Sequence, residues 1–180
     1  MNFLEQLTAE WYEYKGYFCR TNIRFGKTGH GGHIGEMDVI AYHPKTKEFI
    51  HIECSTDAWS WKEKKKVFTK KFQNAEKYYE EVFSFNKKKI KKIAITGFSV
   101  PRQNSEKKMD LGNGIKTILI PEFVSSIADE LSRIDPWYCA IDESSYPLLR
   151  SIQYGTFYLA RKLRAKEKKN KLQILEGPKK

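Results

Sequence analysis

Apolar residues recur along this chain at two spacings, three to four residues and two residues, and the alternation predicts the elements. Residues 2–15 read as a helix, with Phe3, Leu7 and Tyr14 on one stripe and Leu4 and Trp11 beside it. Gly16 ends it. Glu10 falls on the edge of that stripe, at the 3-7-10-14 spacing. "YFCRTNIRFG" (17–26) reads as a strand and "KTGHGGHIG" (27–35) as a glycine-rich loop. "EMDVIAY" (36–42) and "EFIHIECS" (48–55) read as two strands joined by "HPKTK", where Pro44 and the polar residues after it favour a turn. From Trp59 to Phe83 the pattern is helical, with Phe68, Phe72, Ala75, Tyr79 and Val82 on one stripe among lysines. Strands follow at 90–97 and 114–120, separated by a polar loop at 101–113. Pro121 sits in the first turn of a further helix, and residues 144–164 are helical again.

The order is helix, three strands, helix, two strands, then helices, with no repeat and no clear linker. It predicts one α/β domain over residues 1–164 with a central mixed sheet flanked by helices. The core covers about 2–120, a helical cover about 121–164, and a basic tail 165–180.

Charge changes the picture. Lys and Arg number 33 against 22 Asp and Glu, a net charge of +11. That excess favours a polyanionic partner, nucleic acid ahead of an anionic membrane surface, over a merely solvated lysine coat. Three cysteines, Cys19, Cys54 and Cys139, form neither a disulfide framework nor a CxxC zinc pair. No apolar run approaches the roughly 18 residues of a membrane span, and the first residues lack a basic segment followed by an apolar one. The expectation is a soluble protein of the reducing cytoplasm.

The strand "FIHIECS" poses the chemical question, because it ends an apolar run with the carboxylate Glu53. A buried carboxylate needs a partner. If the 36–55 hairpin turns between Lys45 and Thr46, opposed residues sum to 91. Asp38 then faces Glu53, Ile40 faces His51, and Glu36 faces Ser55. Directly opposed side chains lie roughly 4.5–5.5 Å apart at Cβ, so two carboxylates there repel unless a cation lies between them. A divalent cation with hard oxygen ligands, such as Mg²⁺, answers that need. The alternative is a strand pair whose carboxylates are solvated or meet a lysine, and a one-residue slip would separate them.

Other motifs carry less. His30 and His33 in "HGGH" have no fixed spacing to a third ligand, and a glycine loop touching a nucleic-acid backbone is the better reading. His51 shares a strand face with Glu53, either as a supporting group or as a packed core histidine. "WSWKEKKKVFTKK" interleaves tryptophan with Lys62, Lys64, Lys65 and Lys66, a pattern that suits phosphate contacts as well as a solvated helix face. "NKKKIKK" (86–92) and the tail allow the same two readings. The aromatics of "DESSYPLLRSIQYGTFYL" suggest a helical cover or a dimer surface.

"GEMDVIAY-HPKTKE-FIHIECS", after the opening helix and "GYFCRTNIRFG", resembles the PD-(D/E)xK nuclease superfamily, the fold of many restriction endonucleases and archaeal Holliday-junction resolvases. The resemblance implies a restriction-endonuclease-like αβββαβ core over residues 2–97, with extra C-terminal helices. It implies that Asp38, Glu53 and the backbone carbonyl of Cys54 hold Mg²⁺, for which Mn²⁺ substitutes. Glu10 looks like the first-helix glutamate that many members place near the metal. Met37 stands where the motif proline is expected, and Ser55 where the motif lysine is expected. Either Ser55 positions water itself, or the following helix supplies the lysine, Lys71 being placed to turn toward the sheet. The implied activity is Mg²⁺-dependent endonucleolytic hydrolysis of DNA, restriction-type or junction-resolving, with a homodimer serving duplex cleavage. The alternatives are a catalytically weak or inactive nucleic-acid-binding module on the same fold, and an RNA nuclease.

Overall fold

A computed structural model describes residues 2–83, 90–98 and 109–176, with side chains described as far as residue 167. The chain divides into two compact units, Met1–Phe123 and Val124–Lys180.

The first unit opens with α1 (Phe3–Tyr14). Asn2 caps it: its side chain accepts from the Leu4 and Glu5 N–H groups while Glu5 reaches back to the Asn2 N–H. Gly16, at φ 87°, then turns the chain into the sheet. β1 (Phe18–Lys27), β2 (His33–His43), β3 (Glu48–Ser55), β4 (Ile90–Thr96) and β5 (Ile115–Ile118) form one sheet in the order β1-β2-β3-β4-β5. β1–β2 and β2–β3 pair antiparallel, and β3–β4 and β4–β5 pair parallel. The fold is therefore α/β with a mixed sheet, as the alternation of patterns predicts.

β3 lies at the centre, and five consecutive residues of it are buried. This is why its sequence reads as an almost unbroken apolar run rather than a strict alternation. The parallel β3–β4 step needs a long crossover. α2 (Trp61–Glu76) and the short α3 (Tyr79–Phe83) lie on it. Ser60 and Glu63 form a second reciprocal cap at the start of α2. The single helix expected over 59–83 is broken, because the Lys77 and Tyr78 N–H groups bond back three residues, to Asn74 and Ala75. That tightened last turn ends α2 and lets a new helix start at Tyr79.

Two apolar clusters fill the space under α2 and α3. One contains Ile23, Phe25, Met37, Ile40, Ala75 and Tyr79, and the other Phe68, Phe72, Ala94, Leu111 and Ile115. The β1–β2 hairpin is longer than the sequence suggests. β2 starts at His33 because the turn closes tightly: Thr28 and Gly32 exchange hydrogen bonds, one of them through the threonine hydroxyl, with Gly31 at φ 83°. Most of the polar loop expected at 101–113, and part of "NKKKIKK", lie outside the described residues.

Helix α4 (Ile120–Leu131) runs across the division between the units. In the second unit α5 (Pro147–Glu176) extends well past residue 164, so the segment expected to be a separate tail from 165 continues the helix as far as Glu176. The side chain of Gln153 is fully buried and ties that unit together. Its oxygen accepts from the Ile141 N–H and from Arg150, and its amide nitrogen donates to the Ile134 and Cys139 carbonyls.

Candidate active site

Alternation along β3 sends successive side chains to opposite faces of the sheet. Cys54 points toward α1, where its thiol meets the Thr8 hydroxyl at 3.5 Å. His51 and Glu53 point toward α2 and α3. The His51 ring lies 4.8 Å from that of Phe72 and 5.7 Å from that of Tyr79, so it contacts both apolar clusters.

The β2–β3 register is the one that sums to 91, running from His43↔Glu48 through Ile40↔His51 to Val39↔Ile52. Backbone pairing stops there, one step short of Asp38 and Glu53. Beyond it the Asp38 carboxylate takes over from a strand carbonyl, Oδ2 accepting the Cys54 N–H at 2.8 Å. β2 also changes phase at this point. Met37 and Ile40, three residues apart, lie in one cluster. Opposite them Asn22 adopts φ 53°, and Asn22 and Asp38 are skipped in the β1–β2 ladder. Asparagine is among the few non-glycine residues that take this left-handed conformation readily. At the interruption the Asp38 side chain bonds the Cys54 N–H of β3 and lies within reach of Lys71 on α2.

Lys71, from α2, closes the arrangement. Its Nζ lies 2.5 Å from Glu53 Oε2 and 3.3–3.4 Å from the two Asp38 oxygens. The other Glu53 oxygen, Oε1, bonds His51 Nε2 at 2.8 Å, and His51 Nδ1 bonds the Tyr79 hydroxyl at 2.6 Å. Glu53, His51 and Tyr79 are essentially inaccessible, Glu53 and His51 being 0% exposed.

The carboxylates divide their roles electrostatically. Burial, and then the Glu53 charge, push the Asp38 carboxyl up to about 7; Lys71 and the Cys54 N–H only partly offset this. Burial also works against ionised Glu53, but the hydrogen bond and electrostatic attraction of His51, and then the charge and hydrogen bond of Lys71, outweigh it and hold the group below the usual carboxylate range. Burial opposes the charge on Lys71 too, yet the two carboxylates raise its pKa above the ordinary value. At neutral pH the centre holds an anionic Glu53, a cationic Lys71 and an Asp38 near its midpoint.

A cleft of about 660 Å³ opens beside this centre, lined by Phe25, Ile34, Glu36 and Asp38 from the hairpin and by Lys70, Lys71 and Asn74 from α2. The donor set suits a hard divalent cation. Glu53 Oε2 and both Asp38 oxygens converge on a cationic nitrogen, while Asp38 Oδ2 also accepts the Cys54 N–H and Glu53 Oε1 is held by His51. Among the described residues no group of three or more His, Cys, Asp or Glu is arranged to hold a metal ion. Water and backbone oxygen would complete such a shell, as is usual for Mg²⁺.

The structure thus brings together Asp38, Glu53 and Lys71. Ser55 is engaged elsewhere: its hydroxyl donates to Asp57 Oδ2 at 2.8 Å and accepts the Asp57 N–H, closing the turn after β3. Glu10 is buried on α1, where its Oε1 accepts from Gln6, and α1 packs on the sheet face to which Cys54 points. His30 and His33 are exposed at the tip of the β1–β2 hairpin. Lys62, Lys65 and Lys66 are exposed on α2.

Lys64 corrects the expectation of a phosphate contact. It is 3% exposed, and its ammonium donates inward to Thr96 Oγ1 at 3.2 Å and to the Asp57 carbonyl. The 64-68-72-75 spacing with Phe68, Phe72 and Ala75 puts Lys64 on the packed stripe, a signal present in the sequence. Tyr79 is the site residue that sequence reading missed, because its place on the same stripe marks it simply as core.

No family model matches the chain, and no curated protein matches it. A solved structure described as "Protein of Unknown Function AF1548" aligns with a TM-score of 0.46 at 17% identity, covering 87% of this chain and 96% of that one. Among the described residues no helix is long and apolar enough to cross a membrane.

Proposed function

We propose that the Met1–Phe123 unit is a Mg²⁺-dependent endonuclease of the PD-(D/E)xK kind that hydrolyses DNA phosphodiester bonds. The observation that carries this reading is the convergence of Asp38, Glu53 and Lys71 at the edge of an open cleft. Asp38 Oδ1, Glu53 Oε2 and the Cys54 carbonyl would hold the cation, and Mn²⁺ would substitute. When bound, the cation supplies a water of lowered pKa and offsets charge on the phosphate.

The chain's own residues do the rest. Asp38 would hold the cation in its ionised form. Glu53 stays anionic through its bond from His51. Lys71 supplies the ammonium that Ser55 cannot, leaving its bridge between the carboxylates to face the phosphate or the attacking water. Exposed Lys62, Lys65 and Lys66 continue the basic surface of α2, alongside Lys70 in the cleft, and suit the phosphate backbone of a duplex or branched DNA. A homodimer would place one centre against each strand.

One observation favours a second reading, a nucleic-acid-binding module without catalysis. Lys71 already bridges both carboxylates, so the pair has a cationic partner without a metal. Supercoiled plasmid, branched DNA, single strands and RNA incubated with Mg²⁺, Mn²⁺ or EDTA separate the two. Metal-dependent nicking of DNA abolished by Asp38→Ala and by Glu53→Ala supports the nuclease. Salt-sensitive binding with no cleavage in either metal supports the module, and cleavage of RNA alone redirects the substrate.

A further inference from the structure

The buried chain Tyr79–His51–Glu53 has more structure than packing requires. A core histidine between Phe72 and Tyr79 needs a partner for each ring nitrogen, and here each has one, at 2.6 Å and 2.8 Å. The partners differ in kind. Glu53 Oε1 belongs to an ionised carboxylate and accepts, so Nε2 carries a hydrogen. Tyr79 is buried, and burial raises its hydroxyl pKa, so it stays protonated and has a hydrogen to place. His51 Nδ1, 2.6 Å away, is the acceptor within reach of that hydrogen. If Nδ1 were protonated as well, two hydrogens would meet across 2.6 Å unless the tyrosine turned its own away into the apolar cluster around Ile40 and Ala75. With Nε2–H donating to Glu53 and Tyr79 donating to Nδ1, both ring nitrogens and the tyrosine hydroxyl have partners.

We propose that His51, locked as the Nε2–H tautomer by Tyr79, is a positioning residue: it pins Glu53 Oε1 and so presents Oε2 alone to the cation at the Asp38 centre. This rests on the reading of Asp38 and Glu53 as a cation-binding pair. Glu53 has three side-chain torsions, and without a partner for Oε1 the carboxylate can rotate either oxygen toward Lys71 or draw a second cationic contact. The bond from His51 removes that freedom before any ligand arrives. Partners of this kind, one layer behind a metal ligand, are typically worth 10–100-fold in metal affinity.

The test is Mn²⁺ binding by titration calorimetry, with ¹⁵N NMR of the histidine rings in the metal-free protein. His51→Leu is expected to weaken Mn²⁺ binding about 10–100-fold. His51→Gln, which can still offer an N–H to Oε1, is expected to recover most of that loss. Tyr79→Phe should fall between the two and should shift the His51 ring toward a mixture of tautomers. In the unaltered protein one protonated nitrogen, Nε2, is expected. Wild-type Mn²⁺ affinity in His51→Leu overturns the proposal, as does a His51 ring protonated at Nδ1. If His51→Leu does not fold, His51→Gln and Tyr79→Phe decide: equal losses in both would make the role structural and overturn it. Failure of the nuclease reading shows separately, as absence of cleavage by the unaltered protein, and leaves the NMR result able to uphold or overturn the tautomer lock.

Discussion

Replacing Lys71 by methionine keeps the aliphatic stem and removes the charge that joins Asp38 to Glu53. Removing one partner of a fully buried ion pair typically costs about 3–5 kcal/mol. Two features reduce that here. The Lys71 side chain is 39% exposed, so solvent screens part of the interaction. Asp38, already pushed up to about 7, can also take a proton and relieve its repulsion with Glu53. The expected loss in EDTA at pH 8 is therefore roughly 1–3 kcal/mol. At about 2–4 °C per kcal/mol for a chain of this size, that is several degrees in Tm. Mg²⁺ should reverse the order of effects. In the variant the cation no longer competes with an ammonium, so it should stabilise Lys71→Met more than the unaltered protein. A concentration one hundred times the dissociation constant contributes about 2.7 kcal/mol. Thermal unfolding in EDTA and across a Mg²⁺ series measures both arms. A variant as stable as the parent in EDTA, with the same Mg²⁺ response, would refute the assignment of Lys71 as the counterion of the pair.

Asp38 makes metal-free stability depend on pH. Its folded pKa lies above its unfolded value, so its contribution is full below about 4 and is lost as pH rises through about 7. Urea unfolding in EDTA should show that decline, and Asp38→Asn should flatten it. Replacing Lys62, Lys65 and Lys66 together by alanine should lower the slope of log affinity for duplex DNA against log salt by close to one for each lysine that meets a phosphate. Lys64→Ala should leave that slope unchanged and cost stability instead, since its ammonium holds Thr96 and the Asp57 carbonyl. Gln153→Leu, similar in size, strands the Ile141 N–H and the Ile134 and Cys139 carbonyls and should cost roughly 2–4 kcal/mol in urea unfolding.

Much of this centre was legible because local rules set the β2–β3 register. Pro44 and its polar neighbours mark the turn, and the turn fixes which residues oppose one another, so Ile40 and His51 pair as the arithmetic requires. Lys71 was legible from its place beside the 68-72-75 stripe. Lys64 departs from its neighbours for a physical reason. A run of lysines looks like a solvated face, yet helical spacing sends one in four of its positions inward. The interruption at Asn22 and Asp38 could not be read, because a single left-handed residue leaves no trace in hydrophobic periodicity. Nor could the second bond of His51, since Tyr79 reaches it only when α2 stops and α3 begins. Gln153 lies on a helix amid mixed residues, and its four bonds depend on a loop whose path no local pattern dictates.

The end of the β2–β3 ladder at Val39↔Ile52 has a consequence for how this molecule can change. Just past that point Asp38 is tied to β3 by the Cys54 N–H, and Glu53 still pairs with β4. Above it, from Asn22 to Asp38, the hairpin is a two-stranded ribbon, and its Phe25, Ile34 and Glu36 form one wall of the cleft. Lengthening, shortening or recharging the Thr28–Gly32 turn reshapes that wall without moving Asp38, Glu53 or Lys71. The cleft wall can therefore change while the Asp38–Glu53–Lys71 centre keeps its geometry, a separation built into where one strand pairing ends.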